Sequence, residues 1–272
     1  MASSPDFESL ETLLVELNRG SAAAILPLFR AEHGLEDKGP PGFFDPVTAA
    51  DRGAEAAIRR LLAERHPDHG VIGEEYGEDR PDADFVWVID PIDGTRAFIA
   101  GLPVWTTLIG LRFAGQPVLG SIGQPYLGEL FIGHAGGARL MTRGSSRPLA
   151  TRKGALLSGA IIATTDPEAC FTPEELSAWR RLRAAARLAR LGCDAYAYAM
   201  VAAGALDLVV ETGLKAWDIE AAIPLLVGAG GVVTNWRGEA VGRQGGQVAL
   251  AGDPAVHEEA LSLLAPAAAP NL

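Results

Sequence analysis

Cysteine is scarce in this chain: Cys170 and Cys193 are the only two in 272 residues. They lack metal-type spacing, and a chain of this length does not need a disulfide framework. A reducing cytoplasm is the simplest setting. No apolar run reaches the length that crosses a membrane, so no membrane partner is expected. Met1 to Glu11 is polar and acidic, which does not match a secretory signal. Positive charge is also short, with 23 Lys and Arg against 34 Asp and Glu, a net charge of −11. No basic stripe is present, which argues against nucleic acid. The five histidines (His33, His66, His69, His134 and His257) are scattered. His66 and His69 flank Pro67 in a loop with no third ligand nearby, so a histidine metal site is not expected. Gly228, Gly230 and Gly231 form no G-x-G-x-x-G after a strand, which removes the main sign of a dinucleotide site. Repeats and low-complexity linkers are absent.

Apolar residues, by contrast, make up 48% of the chain, enough for a large core. The length fits a single two-lobed unit over 1–272, with a soft boundary near 149–158. Leu10, Leu13, Leu14, Leu17, Ile25, Leu28 and Phe29 recur at helical spacing, and Pro27 should bend or split that helix. Gly39-Pro40-Pro41-Gly42 reads as a loop. Asp45-Pro46 reads as an N-cap followed by proline in the first turn of a helix running to about Arg65. Val71-Ile72 is a short strand. The stretches 104–111, 118–122, 129–133 and 138–142 read as an antiparallel meander. Strands are expected at 158–163, 188–191, 206–211, 232–234 and 248–251. Helices are expected from Thr172, over 195–203, over 219–227 despite Pro224, and over 254–264. Strands and helices alternate in blocks without a βαβ rhythm, which favours a layered α+β fold.

The richest stretch is Val86-Trp-Val-Ile-Asp-Pro-Ile-Asp-Gly-Thr95. Phe85 to Ile89 reads as a buried strand ending at Asp90-Pro91, since proline cannot continue the ladder. Asp90 and Asp93 follow close together, Gly94 lets the backbone turn, and Thr95 suits a helix start. Two like charges this close repel unless a cation lies between them. Glu74 follows another strand, Asp218 opens a helix after Trp217, and Asp51 lies on the second helix. Hard oxygen donors select Mg²⁺ or Mn²⁺. Several carboxylates around one spot suit a two-metal site for in-line displacement at phosphorus. An acidic protein that binds a phosphate ester needs positive charge at the site, and metal ions supply it. Glu74 and Thr95 are candidates for orienting the attacking water, and the N–H groups of Gly94 and Thr95 would meet the phosphate.

Gly73-Glu74-Glu75, Asp90-Pro-Ile-Asp-Gly-Thr95 and Trp217-Asp218-Ile-Glu-Ala-Ala222 together resemble the inositol monophosphatase family in residues, order and spacing. The resemblance runs from Val47-Thr-Ala-Ala-Asp51 to Gly228-Ala-Gly-Gly231. It implies a layered αβαβα fold, Mg²⁺ dependence with two to three ions per site, and a homodimer. It also implies one ion on Glu74, Asp90, the Ile92 carbonyl and Thr95, and a second on Asp90, Asp93 and Asp218. Glu74 would help hold a weaker third through water. Thr95-Arg-Ala-Phe-Ile-Ala-Gly-Leu-Pro-Val-Trp105, Gln124-Pro-Tyr-Leu-Gly-Glu129, Ala163-Thr-Thr-Asp-Pro167, Gly192-Cys-Asp-Ala-Tyr-Ala-Tyr198 and Asp207-Leu-Val-Val-Glu-Thr-Gly-Leu-Lys215 resemble the histidinol-phosphate phosphatase branch.

The ligand of that branch carries an amine and an imidazole, so its pocket should offer carboxylates away from the metals. Asp194 and Glu211 are the candidates, with helix capping as the other reading of Asp194. An inositol or broad sugar-phosphate phosphatase is the rival, because Glu211 would also accept a hydroxyl. A non-catalytic module would have lost a ligand, and Glu74, Asp90, Asp93, Thr95 and Asp218 are all present. Trp217 reads as a packing anchor. Tyr196 and Tyr198 read as core or interface residues rather than as a stacking platform. Arg180, Arg181, Arg183, Arg187 and Arg190 read as a solvated face, and Glu75 as a solvated neighbour of Glu74.

Overall fold

The computed structural model describes residues 5–32, 34–38 and 46–270. The Gly39–Gly42 loop, His33 and the expected Asp45 cap lie outside the described residues. The first half of the chain runs α1 (Phe7–Ile25), β1 (Glu36–Asp37), β2 (Pro46–Val47), α2 (Ala49–Arg65), β3 (Gly70–Gly73), β4 (Gly77–Asp79), β5 (Phe85–Asp93), α3 (Thr95–Ile99), β6 (Thr106–Phe113), β7 (Gln116–Gln124), β8 (Glu129–His134), β9 (Gly137–Thr142) and β10 (Ser145–Pro148). The second half runs β11 (Ile161–Thr164), α4 (Pro167–Cys170), α5 (Pro173–Ala185), β12 (Leu188–Leu191), α6 (Asp194–Ala202), β13 (Leu208–Leu214), α7 (Ala216–Ile219), α8 (Ala222–Gly228), β14 (Val232–Thr234), β15 (Gly246–Ala251) and α9 (Pro254–Leu264).

Two main sheets result. The larger has the order β10-β9-β8-β7-β6-β5-β3-β4 and is antiparallel except between β3 and β5. The smaller has the order β12-β11-β13-β15-β14. Trp87 and Ile89 point to one face of the larger sheet, where they pack with Leu14 and Leu17 of α1 and Ile58 and Leu62 of α2. Leu108, Ile122 and Phe131 point to the other face and meet α6, α8 and the inner face of the smaller sheet through Val209 and Leu250. The outer face of that sheet is covered by Trp179 and Leu182 of α5 and Val256 of α9. The order of layers is therefore αβαβα, as the resemblance implied.

One row of glycines seats the middle helical layer. Gly110, Gly120 and Gly133 stand opposite one another on β6, β7 and β8. A Cβ on Gly120 would overlap the Ala221 carbonyl oxygen, and one on Gly110 would stand 3.1 Å from the Ala221 nitrogen. The turn between α7 and α8 thus rests directly on bare backbone, which fixes the height of the helix carrying Asp218. Buried Arg112 adds a side-chain anchor: its guanidinium grips both Glu220 carboxylate oxygens, Nε to Oε2 at 2.6 Å.

Several sequence expectations shift. The second helix starts at Ala49, not after Asp45: Thr48 caps it with a reciprocal Asp51 bond, and Pro46 lies in β2. A side chain that satisfies N–H groups of the first turn outweighs proline's fixed φ as a start signal. The first helix stops at Ile25, ahead of Pro27. The expected helix over 219–227 is broken: α7 ends at Ile219 and α8 starts at Ala222, with Pro224 in its first turn, where an N–H has no intrahelical partner. β10 extends the meander beyond the expected strands.

Candidate functional site

A cavity of about 280 Å³ opens where the end of β5 meets β13 and the first turns of α3, α6 and α7. Glu74, Asp90, Asp93, Asp194, Glu211 and Asp218 all line it. β5 does not stop at Pro91. It runs on to Asp93, and its register against β6 shifts between Asp90↔Leu108 and Asp93↔Thr106. One extra β5 residue is accommodated there, so proline's missing N–H falls in a bulge rather than in the ladder. In a regular strand, residues three apart point to opposite faces. The bulge instead brings Asp90 and Asp93 to one side.

Asp218 completes the cluster from α7, where its Oδ2 accepts the Lys215 N–H at 2.6 Å. Asp90, Asp93 and Asp218 each offer an oxygen within 4.8 Å of the others. Oδ1 of Asp90 is sealed from water and has no hydrogen-bond partner. A buried carboxylate oxygen without a donor is costly unless a cation takes that place. Three converging carboxylates with an orphaned oxygen therefore fit a hard divalent ion.

Glu74 sits at the end of β3, outside this tightest triad but on the same cavity. Its loop is shaped from below by Glu55, which is fully buried. Oε2 of Glu55 accepts the Glu75 N–H at 2.8 Å, and Oε1 accepts Tyr76 N–H at 3.3 Å and Arg59 Nε at 2.7 Å. Sequence reading missed Glu55. Its signal was an acid on the apolar face of α2, in step with Ile58 and Leu62. Glu75 is not a solvated neighbour: its side chain is 3% exposed and pairs with Lys38 at 2.7 Å.

Thr95 opens α3 after Gly94, whose φ of +82° lies in the left-handed region. The Thr95 hydroxyl lies 3.1 Å from the Ile92 carbonyl and 3.5 Å from Oδ1 of Asp51. Asp51 is buried behind Thr95 and does not line the cavity. Its Oδ2 is occupied by the Thr48 N–H at 2.7 Å.

The helix-cap reading of Asp194 fails. Asp194 has φ +43° in the first turn of α6 and makes no capping bond. Asp93 does the capping instead, its Oδ2 accepting the Ala195 N–H at 2.6 Å. The Asp194 carboxyl lies against Gly94, where a Cβ would stand 2.9 Å from Oδ2. Glu211 is buried on β13 and accepts bonds from the hydroxyls of Thr164 at 3.1 Å and Thr165 at 2.8 Å. Arg96 reaches Asp166 at 3.5 Å across the cavity mouth.

Burial raises every acid here. It pushes Glu74 up to about 7, helped by Glu75 and opposed by Lys38. Asp218 and Asp194 are each pushed up to about 6, and Glu211 to about 8. Asp90 and Asp93 lie well above the usual carboxylate range, first from burial and then from the neighbouring acids. Burial raises Asp51 as well. Only positive charge in the cavity lets all of them ionise together.

Residues 6–269 match the inositol monophosphatase family. The chain belongs to this family. It is accordingly a metal-dependent phosphatase. It is 40% identical over 254 residues to the bifunctional phosphatase IMPL2, chloroplastic, of Arabidopsis thaliana, covering 90% of this chain and 71% of that one. It is 36% identical over 193 residues to the histidinol-phosphatase of Chlorobaculum parvum, covering 71% and 73%. Its fold superposes on an inositol monophosphatase from Zymomonas mobilis with a TM-score of 0.84 at 36% identity, covering 96% of this chain and all of that one.

Trp217 packs against Ile72, Val86 and Val88 beneath the Asp218 turn. His69 accepts the Trp87 indole N–H at 3.1 Å and stacks on His66. Arg180 and Arg181 lie on the surface, pairing with Glu168 and Ser177. Among the described residues, no helix is long and apolar enough to cross a membrane.

Proposed function

We propose that this phosphatase is a Mg²⁺-dependent monoesterase that hydrolyses L-histidinol phosphate to L-histidinol and phosphate. The observation that carries the phosphoryl chemistry is the Asp90–Asp93–Asp218 triad with its orphaned Asp90 oxygen. Glu74, Asp90, Asp93, Asp218 and the Ile92 carbonyl would hold two to three Mg²⁺ ions, with Mn²⁺ as the substitute suited to the same oxygens. Bound ions would offset the phosphate charge and make a nearby water more acidic.

The chain's own groups then position the reactants. Asp51 holds the Thr95 hydroxyl, which orients the attacking water, and Glu74 accepts a proton from it. Burial keeps Glu74 up at about 7 before metal binds, and its place on the cavity wall beside Thr95 is what supports this role. The N–H groups of Gly94 and Thr95, in the first turn of α3 and without intrahelical partners, meet the phosphate oxygens. Phosphate-ester hydrolysis is slow enough that enzymes lower such barriers by up to roughly 20 kcal/mol or more, so charge and positioning must act together.

Asp194 and Glu211 support the choice of ester. In histidinol phosphate the ammonium stands one carbon from the ester-bearing carbon. Asp194, against Gly94 of the phosphate turn, suits that ammonium. Glu211 suits the imidazole farther from the ions, and the chain's likeness to histidinol-phosphatases supports the same reading. The second reading is an inositol-1-phosphate or broad sugar-phosphate phosphatase, favoured by the Zymomonas neighbour and by the ability of Glu211 to accept a hydroxyl. A homodimer in a reducing cytoplasm completes the proposal. Exposed Leu188 and Leu191 on edge strand β12 and the two free cysteines support it.

Phosphate release from L-histidinol phosphate and myo-inositol 1-phosphate, with Mg²⁺ and with chelator, tests the proposal. Strong preference for histidinol phosphate is expected. Comparable rates on both would establish the broad enzyme, and activity that survives chelation would end the metal reading.

A further inference from the structure

Tyr196 and Tyr198 sit two apart on α6 and do opposite things. The Tyr196 hydroxyl donates to Oε2 of Glu129 at 2.7 Å, so its polar end is satisfied within the protein. Tyr198 is 2% exposed, and its ring is packed with Leu108, Val209 and Leu250 between the two sheets. No hydrogen bond of the described residues involves its hydroxyl. That oxygen is not sealed from water as the orphaned Asp90 oxygen is, and Tyr198 lines the cavity.

A phenol buried in a core almost always finds a partner. Here the unpaired end opens into a cavity walled by acids. Tyr198 lies one helical turn beyond Asp194, so both project from one face of α6. The charges of Glu211, Asp93, Asp218 and Asp194 all reach the phenol and, after burial, raise it well above its usual range, with Glu211 the strongest of the four. The group therefore stays a neutral O–H, able both to donate and to accept.

We propose that Tyr198 is a specificity-determining residue whose hydroxyl bonds a ring nitrogen of the substrate's heterocycle, beside Glu211. This rests on the histidinol phosphate reading and adds the device that tells an imidazole from a plain hydrocarbon ring. Glu211 supplies charge, which a hydroxyl or ammonium would also satisfy. Tyr198 supplies a neutral bond that a nitrogen heterocycle completes and a phenyl ring cannot. A site built to hydrogen-bond a polar group rejects the analogue that lacks it, because its own groups are left unpaired.

The test is Tyr198→Phe, which keeps the packed ring and removes only the oxygen. Two esters are compared under saturating Mg²⁺: L-histidinol phosphate, and L-phenylalaninol phosphate, which keeps the ammonium but has no ring nitrogen. The variant should lose roughly three- to tenfold in kcat/KM on histidinol phosphate, mainly through KM, as expected for one neutral hydrogen bond. It should change less than about twofold on phenylalaninol phosphate. Calorimetric affinity for the product L-histidinol should fall by the same factor as kcat/KM. An equal fall on both esters would mean that Tyr198 acts through the shared site, and no fall on either would mean that its hydroxyl touches no substrate. Either result overturns the proposal. Failure of the wild-type enzyme to turn over histidinol phosphate would instead remove the functional reading on which the proposal rests.

Discussion

Mg²⁺ binding should release protons, and their number should depend on pH. In the metal-free protein at pH 6, Asp90 and Asp93 are held well above the usual carboxylate range and Glu74 lies at about 7. Protons therefore sit on a cluster that would bind metal only when ionised. Unfolded carboxylates titrate near 4, so the unfolded chain has lost those protons by pH 6. A raised folded value means that the folded, metal-free state binds more protons than the unfolded one. Its stability then falls as pH climbs from about 4 toward the folded values. Mg²⁺ removes this penalty. For two protons, the stability gained from saturating Mg²⁺ should grow by about 3 kcal/mol per pH unit around pH 6. At roughly 2–4 °C per kcal/mol, this is about 6–12 °C per pH unit in the Mg²⁺-induced rise in Tm. His69, held down to about 4 by burial, titrates in both arms and cancels. Paired melts with and without Mg²⁺ from pH 5.5 to 8 measure the slope. Calorimetry in two buffers of different ionisation enthalpy counts the protons. A Tm gain independent of pH, or release of less than half a proton at pH 6, would refute the clustered-acid account.

Two substitutions probe the architecture directly. Asp93→Asn should abolish turnover yet melt within a few degrees of wild type, because the asparagine oxygen still caps Ala195; near-normal activity would remove Asp93 from the site. Gly120→Ala should cost about 1–3 kcal/mol or more, since the new Cβ overlaps the Ala221 carbonyl, and should raise the Mg²⁺ concentration needed for half-maximal activity by displacing the turn after Asp218. An unchanged melt and metal requirement would mean that the glycine row does not set the height of α7.

Much of the framework was legible in the sequence because it obeys local rules. The layered α+β class follows from apolar periodicity in blocks, the αβαβα order followed from the family resemblance, and the Thr172 cap with its Glu175 partner reads directly from spacing. The acids were visible because carboxylates beside a Gly-Thr turn have few structural uses. What was misread depended on contacts between distant parts of the chain. Pro91 looked like a strand end because the ladder rule is local, whereas the bulge that absorbs it is set by pairing with β6. Glu75 looked solvated because its partner Lys38 lies 37 positions earlier in the chain. Tyr198 looked like core, and its ring is core. Only its place on the cavity wall with Glu211 makes it a candidate for recognition.

Asp93 and Asp194 show why substrate recognition is harder to read than metal binding. A cap needs an acceptor near free N–H groups, and Asp194 stood in the expected place in the sequence. The acceptor that does the work comes from 102 residues away, on the other sheet. One Asp93 oxygen is thereby committed to α6, and the same carboxylate stands in the acidic triad proposed to hold the ions. On the proposed reading, the helix carrying Asp194 and Tyr198 is thus hung from a residue that would also hold the ions. Metal occupancy and the alignment of the recognition groups then share one carboxylate, and a change at Asp93 must register in both. Capping from across the cavity also leaves the Asp194 carboxyl free of its helix, as its proposed role toward the ammonium requires.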